Sequence, residues 1–578
     1  MKSIKKNNDF SAIVMDGIFA PKIVAFPYSP WGAGRELCWT KDGELRNYCA
    51  YPVGDTVHKT YMVSKDWGIT WETRLRNKKD PGSLVKCPWA DYWLGFTVDQ
   101  FPNIVCIKSV NGPGSNDSRA IVLPQKNYEP IQFIPLRSRH RWVVPASNLN
   151  FGGEYRASVF FSDDDGETWT EVPIPQTPNV ARAFACDLRP HWYCPGCEPS
   201  VVELSDGTLL MALRTSGEYA SFSRSTDNGE TWSVPEPCPG FWQANTRPNL
   251  MRLRDGRIIF FWNNTVPLPN RSVDENPELH EEERNGVWES QFTNRDILHA
   301  AISEDDGKTW IGFREIAVSS IRNDADYREL GNIQGITHDK SVHQSQALEL
   351  PNGKVILTLG QNPSAQKIII FDPAWLYETS RTEDFRHGLG NISHFLYVKS
   401  LMCGYRGWAG HSAANRIPGG VMARDPDTYW NTVRESLLLC RIDDPRLIST
   451  HSGFVWNFPA LKKGTLEIDC RIEGDGFQIA LQDHWTNPCD EYLAPRSFAV
   501  VAITPDCVGG RSRWTTIHLE WDCLQGKLIV SCANNTQKVE MNMHNASPAG
   551  ISYLHVQSLA PVEDLKGTYF HELRAKSL

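Results

Sequence analysis

Four stretches decide the fold: Ser64-Lys-Asp66-Trp-Gly68-Ile-Thr70-Trp71, Ser162-Asp-Asp164-Asp-Gly166-Glu-Thr168-Trp169, Ser225-Thr-Asp227-Asn-Gly229-Glu-Thr231-Trp232 and Ser303-Glu-Asp305-Asp-Gly307-Lys-Thr309-Trp310. They share the pattern Ser-x-Asp-x-Gly-x-Thr-Trp, and one chance match is on the order of 10⁻⁴ per chain. Four matches make it a repeat. Each octamer follows a short alternating run, at 60–63, 157–161, 219–223 and 297–302, which reads as a strand. The Asp side chain can accept backbone N–H bonds across a tight turn, and the Gly supplies the positive φ that such turns need. The Trp then returns the chain to the core, burying on the order of 150–250 Å². Each octamer is a clasped β-hairpin, and its Asp is scaffold rather than catalyst.

Outward from the octamers, Leu204-Ser-Asp-Gly-Thr208, Leu253-Arg-Asp-Gly-Arg257 and Leu350-Pro-Asn-Gly-Lys354 mark further strand–turn–strand units. The long interval between the first two octamers has room for a unit without one. Residues 25–430 would then form about six four-stranded blades, a β-propeller. After about residue 435 the octamers cease, and Gly464–Ile472, Ser497–Ile503, Trp514–Trp521 and Lys527–Cys532 look like strands. The expectation is an all-β chain: a six-bladed β-propeller over 1–430, followed by a C-terminal β-sandwich over 431–578, jelly-roll-like. The sandwich would serve as a packing module, with sugar binding as its alternative role.

Composition narrows the function. The chain has 578 residues, 41% hydrophobic and 22% charged, with 21 Trp, 24 Phe and 17 Tyr. So many aromatic residues are incompatible with a disordered chain. No apolar run nears the roughly 18 residues of a membrane span; the longest, at 258–262 and 498–503, are strand-sized. Net charge is −9 with no basic block, so neither a nucleic acid nor a membrane is expected as partner. An anionic substrate would need Arg concentrated locally. The N-terminus, Met1-Lys-Ser-Ile-Lys-Lys, is basic without an apolar segment behind it, and the expectation is a cytoplasmic protein without a signal peptide. Fifteen Cys are scattered without a framework, which fits reduced thiols. The tight cluster His191-Trp-Tyr-Cys194-Pro-Gly-Cys197 lacks a second ligand pair nearby, so no metal site is expected.

The octamers resemble the Asp-boxes, or BNR repeats, of the sialidase (neuraminidase) superfamily. The resemblance sharpens at Cys197-Glu198-Pro-Ser-Val-Val-Glu-Leu-Ser-Asp-Gly-Thr-Leu-Leu-Met-Ala-Leu-Arg214. Sialidases place a Glu three residues before a Val-x-Glu-Leu strand, and an Arg at the end of the next strand. The resemblance implies that Glu198 activates a nucleophile and that Arg214 belongs to an arginine clamp for a substrate carboxylate. Physical chemistry agrees, since a planar guanidinium grips a carboxylate bidentately and a carboxylate accepts protons. Arg295, which precedes the strand leading to the fourth octamer, matches a second clamp arginine. Asp55, in the segment before the first octamer's strand, matches the general acid by position, with a turn-capping Asp as the alternative.

Two departures stand out. The family's opening Arg-Ile-Pro is replaced by Arg35-Glu-Leu-Cys-Trp-Thr-Lys-Asp-Gly43, leaving Arg35 as the candidate for the first clamp arginine; Arg416-Ile-Pro is read as coincidence. The family's nucleophilic Tyr belongs in the strand that here reads Val342-His343-Gln344-Ser345-Gln346, so Gln344 or His343 stands in its place. A glutamine amide is no nucleophile. Two routes to hydrolysis stay open: Glu198 activating water for single displacement, or His343 acting as base or substrate-orienting group. The expected function is an exo-acting glycoside hydrolase that releases a terminal, carboxylate-bearing sugar from a glycan or oligosaccharide. It would use Asp55 and Glu198 as catalysts, Arg35, Arg214, Arg295 and His343 as substrate contacts, and no cofactor. A non-catalytic carbohydrate-binding propeller and a polysaccharide lyase are the alternatives.

Overall fold

The computed structural model describes residues 22–25, 37–53, 56–97, 102–148, 156–178, 194–265 (save 216 and 245), 295–318 (save 296), 342–360 (save 344), 367–397, 415–427, 435–443 and 451–578 (save 491, 492, 534, 545 and 546). It is an all-β structure. Helix among the described residues is confined to short turns such as Pro373–Tyr377, Leu493–Arg496 and Pro505–Val508.

Six antiparallel sheets come first. Sheet I holds Leu37–Trp39, Leu45–Val53, Thr56–Ser64 and Glu72–Leu75; sheet II holds Val85–Lys86, Trp93–Thr97, Asn103–Ser109 and Arg119–Lys126. Sheet III is built on Trp142–Asn148, Arg156–Ser162 and Thr170–Pro173, with Tyr128–Pro130 and Ile134–Pro135 sharing its first edge. Sheet IV holds Cys197–Glu203, Leu209–Arg214, Tyr219–Ser225 and Glu236–Trp242; sheet V holds Asn249–Arg252, Ile258–Trp262, Ile297–Ser303 and Ile311–Val318. Sheet VI takes Gln346–Glu349, Val355–Leu359 and Lys367–Phe371 from late in this region, and its fourth strand, Lys22–Ala25, from the start of the chain.

Strand periodicity explains how these sheets stack. Successive side chains point to opposite faces, so a strand buried on both faces must be apolar throughout. In sheet V, Ile258, Phe260 and Trp262 pack with Val202, Leu210 and Ala212 of sheet IV, while Ile259 and Phe261 pack with Val355, Leu357 and Ile369 of sheet VI. Trp142, Val144 and Phe160 of sheet III face Leu94 and Cys106 of sheet II, whereas Val143 and Val159 face Val201 and Met211 of sheet IV. Leu37 and Leu45 of sheet I meet Ile356, Ile368 and Ile370 of sheet VI. Sheets I and II meet through polar groups: Tyr48 Oη and the Gly114 N–H both donate to the buried Asp80, which also pairs with Arg46 at 3.5 Å.

The four octamers join the third and fourth strands of sheets I, III, IV and V and share one geometry. In the third, Ser225 Oγ donates to Asp227 Oδ1 at 2.7 Å and accepts the Gly229 N–H at 2.8 Å. The Thr231 N–H and hydroxyl donate to the two carboxylate oxygens at 2.9 and 2.6 Å, and Trp232 Nε1–H closes onto the Gly229 carbonyl at 3.3 Å. Two consecutive residues take positive φ, Asn228 at 60° and Gly229 at 94°, as do Trp67–Gly68, Asp165–Gly166 and Asp306–Gly307. Sheets II and VI lack an octamer, and sheet II fills the long interval between the first two. At the same hairpin, Asp117 takes bonds from Ser109 and Ser115 hydroxyls and from the Val110 and Asn111 N–H groups. It is the same clasp at another spacing.

Among the described residues, the remaining chain builds two larger sheets and a two-stranded ribbon of Phe395–Tyr397 with Asn415–Pro418. One runs in the order Gly420–Arg424, Glu435–Arg441, Asp564–Ser577, Lys463–Ile472, Trp514–Asp522, Lys527–Cys532, Asn535–Asn542, with Ser380–Glu383 also pairing on Asp564–Ser577. The other runs Ile392–Ser393, Gly453–Leu461, Ile551–Ser558, Phe477–Gln482, Ala499–Ile503. A single apolar core, including Leu466, Ile468 and Trp521 from the first and Trp456, Ile479 and Leu554 from the second, lies between them. Strands at 380–383, 392–393 and 420–424 precede residue 431 and yet pair into these sheets, because their partners are the late strands at 564–577, 453–461 and 435–441.

This part is joined to sheets IV and V by buried polar groups rather than by apolar surface alone. Trp242 Nε1–H and Ser547 Oγ donate to Asp483 at 2.9 and 2.7 Å, and Tyr553 Oη bridges His299 and Glu315 at 2.5 and 2.8 Å.

The clasp makes two predictions. Asp227→Ala removes three hydrogen bonds and should cost about 1–3 kcal/mol, read as a lowered urea midpoint at unchanged slope. Partial burial pushes the Asp66, Asp164, Asp227 and Asp305 carboxyls up, but the Thr and Ser bonds outweigh it and leave each below its ordinary 3.8. A depressed native pKa stabilises the fold fully above the unfolded value and is lost as pH falls through the native one. Melting temperature should therefore hold steady down to about pH 5 and fall steeply below about pH 4. A melting temperature unchanged to pH 3 would contradict this.

Candidate functional site

In an antiparallel sheet the start of strand one, the end of strand two and the start of strand three share an edge. Glu198 begins strand one of sheet IV, Arg214 ends its strand two, Arg295 precedes strand three of sheet V, and His343 precedes strand one of sheet VI. All four therefore belong to the edge opposite the clasps. Asp55 and Arg35 lie outside the described residues, as does Gln344.

Glu198 is held in an unusual conformation. Its φ is +40°, a region costly for a residue with a Cβ and one that marks functional positions when the surroundings enforce it. The enforcement is visible. The pairing of Cys197–Glu203 with Leu209–Arg214 slips between Cys197 and Ser200, a bulge that contains Glu198 and Pro199. A bulge re-aims the side chain that it carries. The Glu198 N–H then donates to Ser147 Oγ of sheet III at 2.5 Å. With the backbone turned, Glu198 Oε2 meets Arg214 Nη1 at 2.5 Å, and both side chains are about 11% exposed. Burial alone would lower the Arg214 pKa, but the Glu198 carboxylate reverses this and raises it, so the guanidinium stays charged.

A residue that the sequence reading did not single out joins them. Arg247 is buried and precedes strand one of sheet V. Burial pushes its pKa down to about 10, against the opposing pull of the Glu198 carboxylate. Its signal was present in the sequence: Arg247-Pro-x-Leu-x-x-Leu-x-Asp-Gly256 repeats Glu198-Pro-x-Val-x-x-Leu-x-Asp-Gly207. Both residues stand nine places before a turn glycine of positive φ, at 86° and 100°. The register of the repeat thus gives them equivalent places on neighbouring sheets.

Arg295 is 1% exposed, with its Nε–H directed to the Ala244 carbonyl at 3.5 Å, in the segment that leads to Arg247. Its own carbonyl accepts the Val342 N–H at 2.9 Å, which ties it to the segment carrying the buried His343. Asn263 Nδ2 reinforces that junction, donating to the Ile297 and Val342 carbonyls at 2.5 and 3.2 Å. Gln243 does the same after Arg214, with its Nε2 donating to Thr215 Oγ1 at 2.5 Å and to the Tyr219 carbonyl at 2.9 Å. Glu198 and Arg214 are brought into contact, Arg247 is within the field of Glu198, and Arg295 and His343 adjoin across sheets V and VI. One carboxylate thus stands at the same end of neighbouring sheets as three arginines, Arg247 and Arg295 buried and Arg214 nearly so, a composition suited to an anion with a proton acceptor beside it. Among the described residues no group of three or more His, Cys, Asp or Glu could hold a metal ion, and no helix is long and apolar enough to cross a membrane.

The pairing predicts a stability signature. Removing one partner of a buried ion pair leaves the other uncompensated, typically at a cost of about 3–5 kcal/mol. Glu198→Ala should destabilise by that amount in urea unfolding. Glu198→Gln, which keeps an oxygen acceptor for Arg214, should cost clearly less. Equal midpoints for the two variants would refute the pairing.

Comparison with known proteins adds the relationship. A BNR repeat-like domain matches residues 125–361. A sialidase of Paraclostridium sordellii is 30% identical over 125 residues, 20% of this chain and 29% of that protein. A sialidase of Clostridium perfringens is 27% identical over 125 residues, 20% of this chain and 31% of its own length. The chain therefore spans about a third of the curated relatives that it matches. Among solved structures, Trypanosoma rangeli sialidase in complex with sialic acid aligns over 94% of this chain and 91% of that one, at 13% identity and a TM-score of 0.33. A Dyadobacter fermentans protein of unknown function aligns over 61% and 97%, at 15% identity and a TM-score of 0.35. The matched domain takes in the second, third and fourth clasps together with Glu198, Arg214, Arg247, Arg295 and His343, so this part of the chain is a BNR repeat-like domain, with a stretch of 125 residues similar to sialidases.

Proposed function

We propose that the six sheets are the blades of a six-bladed β-propeller, that the two late sheets form a β-sandwich, and that the division falls near residue 378 rather than 430. The strand pairings at 380–383, 392–393 and 420–424 support that division. In this arrangement the innermost strands bring Glu198, Arg214, Arg247, Arg295 and His343 to one mouth of the propeller. The protein is then an exo-acting glycoside hydrolase that takes a terminal, carboxylate-bearing sugar. The observation that carries this reading is the buried Glu198–Arg214 pair held by a bulge and a positive φ.

The pair also suggests how the base is switched on. At rest the guanidinium neutralises Glu198 and makes it a poor proton acceptor. A substrate carboxylate that claims part of Arg214 shares this positive charge, and the basicity of Glu198 rises as the sugar arrives. Arg295 holds the anion from the next sheet, with Arg35 and His343 as further contacts. Asp55 protonates the leaving glycosidic oxygen while Glu198 deprotonates water. Such single displacement needs carboxyl groups about 6.5–9.5 Å apart and inverts the anomeric centre. The route fits a chain with Gln344 where the family has its nucleophilic Tyr.

That same Gln344 favours a second reading, a carbohydrate-binding propeller that keeps the clamp without turnover. The two separate cleanly. The protein is assayed for a released terminal sugar against sialosides, glycuronides and ulosonic-acid conjugates. Hydrolysis predicts that Glu198→Gln lowers kcat by roughly 10²–10⁴-fold while Kd for the uncleaved sugar moves only a few fold. Arg214→Lys should raise KM by about tenfold. Measurable binding with no release of any acid sugar would reject the hydrolase and leave the binding module. An unsaturated product absorbing in the ultraviolet would point instead to a lyase.

A further inference from the structure

The segment Cys194-Pro195-Gly196-Cys197, read from sequence as a pair of loop thiols, ends against the site. Cys194 and Cys197 Sγ are 3.2 Å apart, and both residues are buried, at 0% and 2% exposure. Cys194 Sγ also lies 3.5 Å from the Arg214 carbonyl, and Cys197 is the register partner of Arg214 across the bulge. Glu198 follows Cys197 directly. The Gly196 backbone, at φ 151°, permits the close return of the chain that brings the two sulfurs together.

We propose that Cys194 and Cys197 form a redox-active dithiol that closes to a disulfide under a hydroperoxide and, in closing, displaces the Glu198–Arg214 pair. The geometry supports closure, since bond formation needs the sulfurs to approach from 3.2 Å to about 2.05 Å. Two cysteines at this spacing are the common arrangement for reversible thiol chemistry. Burial pushes the Cys194 thiol up, but the Cys197 S–H and the Arg214 guanidinium outweigh it and hold it below its ordinary value. The Cys197 thiol is raised by the Cys194 sulfur beside it and by burial, and we take Cys194, whose Sγ is the one that reaches the Arg214 carbonyl, as the attacking sulfur.

The Cys194 thiolate attacks one oxygen of hydrogen peroxide, the O–O bond breaks, and the departing hydroxide takes the proton shed by Cys194 to leave as water. Cys194 is now a sulfenic acid. The Cys197 sulfur attacks the Cys194 sulfur, the S–O bond breaks, and hydroxide leaves with the Cys197 proton as a second water. Two thiols lose two electrons and the peroxide gains them. The oxidant has to be small, because both sulfurs are buried.

The test uses the full chain and needs no substrate. Native protein is treated with hydrogen peroxide, denatured, alkylated, digested and weighed. The peptide spanning Cys194–Cys197 should appear unalkylated and lighter by two hydrogens, and after dithiothreitol it should carry two alkyl groups. Cys197→Ser should accumulate a sulfenic acid at Cys194, trapped by dimedone at least tenfold more than Cys194→Ser does at Cys197. Circular dichroism on each variant establishes that it is folded. Full alkylation of both residues in peroxide-treated wild type, or oxidation to sulfinic acid without a disulfide, would overturn the proposal. The coupling to the site rests on the glycosidase reading. There, oxidation should change KM for the acidic sugar at least threefold in wild type and leave Cys194→Ser/Cys197→Ser unmoved. A disulfide that forms without changing KM overturns the coupling, and the mass shift is decided independently of whether any sugar is cleaved.

Discussion

The architecture depends on how the first strand of each sheet is tied to its neighbour. A first strand has one edge with no partner strand, and open edges expose backbone donors. Here side chains fill the gap. The Leu250 N–H donates to Ser200 Oγ and the Val201 N–H to Gln132 Oε1, both at 2.8 Å. Asn249 Nδ2 donates to the Ser345 carbonyl at 2.6 Å, and the Leu37 N–H to Gln346 Oε1 at 2.8 Å. Ser200, Asn249 and Gln346 each stand seven residues before their turn glycines, Gly207, Gly256 and Gly353. The tie is a register device. It sets the height of each first strand relative to the next, and so the height of whatever stands two residues earlier, Glu198 on one sheet and Arg247 on the next.

Each sheet consequently has two ends with different duties. At the clasp end, carboxylates are consumed by hydrogen bonds within their own hairpin, and the clasp Trp residues fill the seams between sheets: Trp169 between II and III, Trp232 between III and IV. At the other end, charged groups are buried without being absorbed into such hairpins, and Glu198 is held at a positive φ within a bulge. A fold that satisfies its carboxylates at one end can carry the cost of an arginine-rich, strained site at the other.

What the sequence disclosed follows the same division. The clasps were legible because every group in them is local: eight consecutive residues contain all the donors and acceptors. The clasp of sheet II escaped notice because Ser109 and Asp117 are eight positions apart rather than two. Glu198, Arg214 and Arg295 were legible through resemblance to sialidases, whereas Arg247 was not, since its significance lies in alignment with Glu198 on a neighbouring sheet. The bulge at Glu198 could not be read either, because a slipped pairing is a property of two strands. The early strands of the second part were hidden for a related reason: Ser380–Glu383 acquires its place only from Lys576 through Leu573, near the other end of the chain.

The fourth strand of sheet VI has a bearing on how the molecule is made. Lys22 pairs with Ile370, so this segment must wait for one that leaves the ribosome nearly 350 residues later. Chain elongation at about 5–20 residues per second makes that wait tens of seconds, during which sheets I to V can form from local hairpins. Closing so long a loop is costly in entropy and slow by contact order. Completion of sheet VI is thus a late event in biogenesis, and until it occurs the Lys367–Phe371 edge is exposed to any other extended chain within reach.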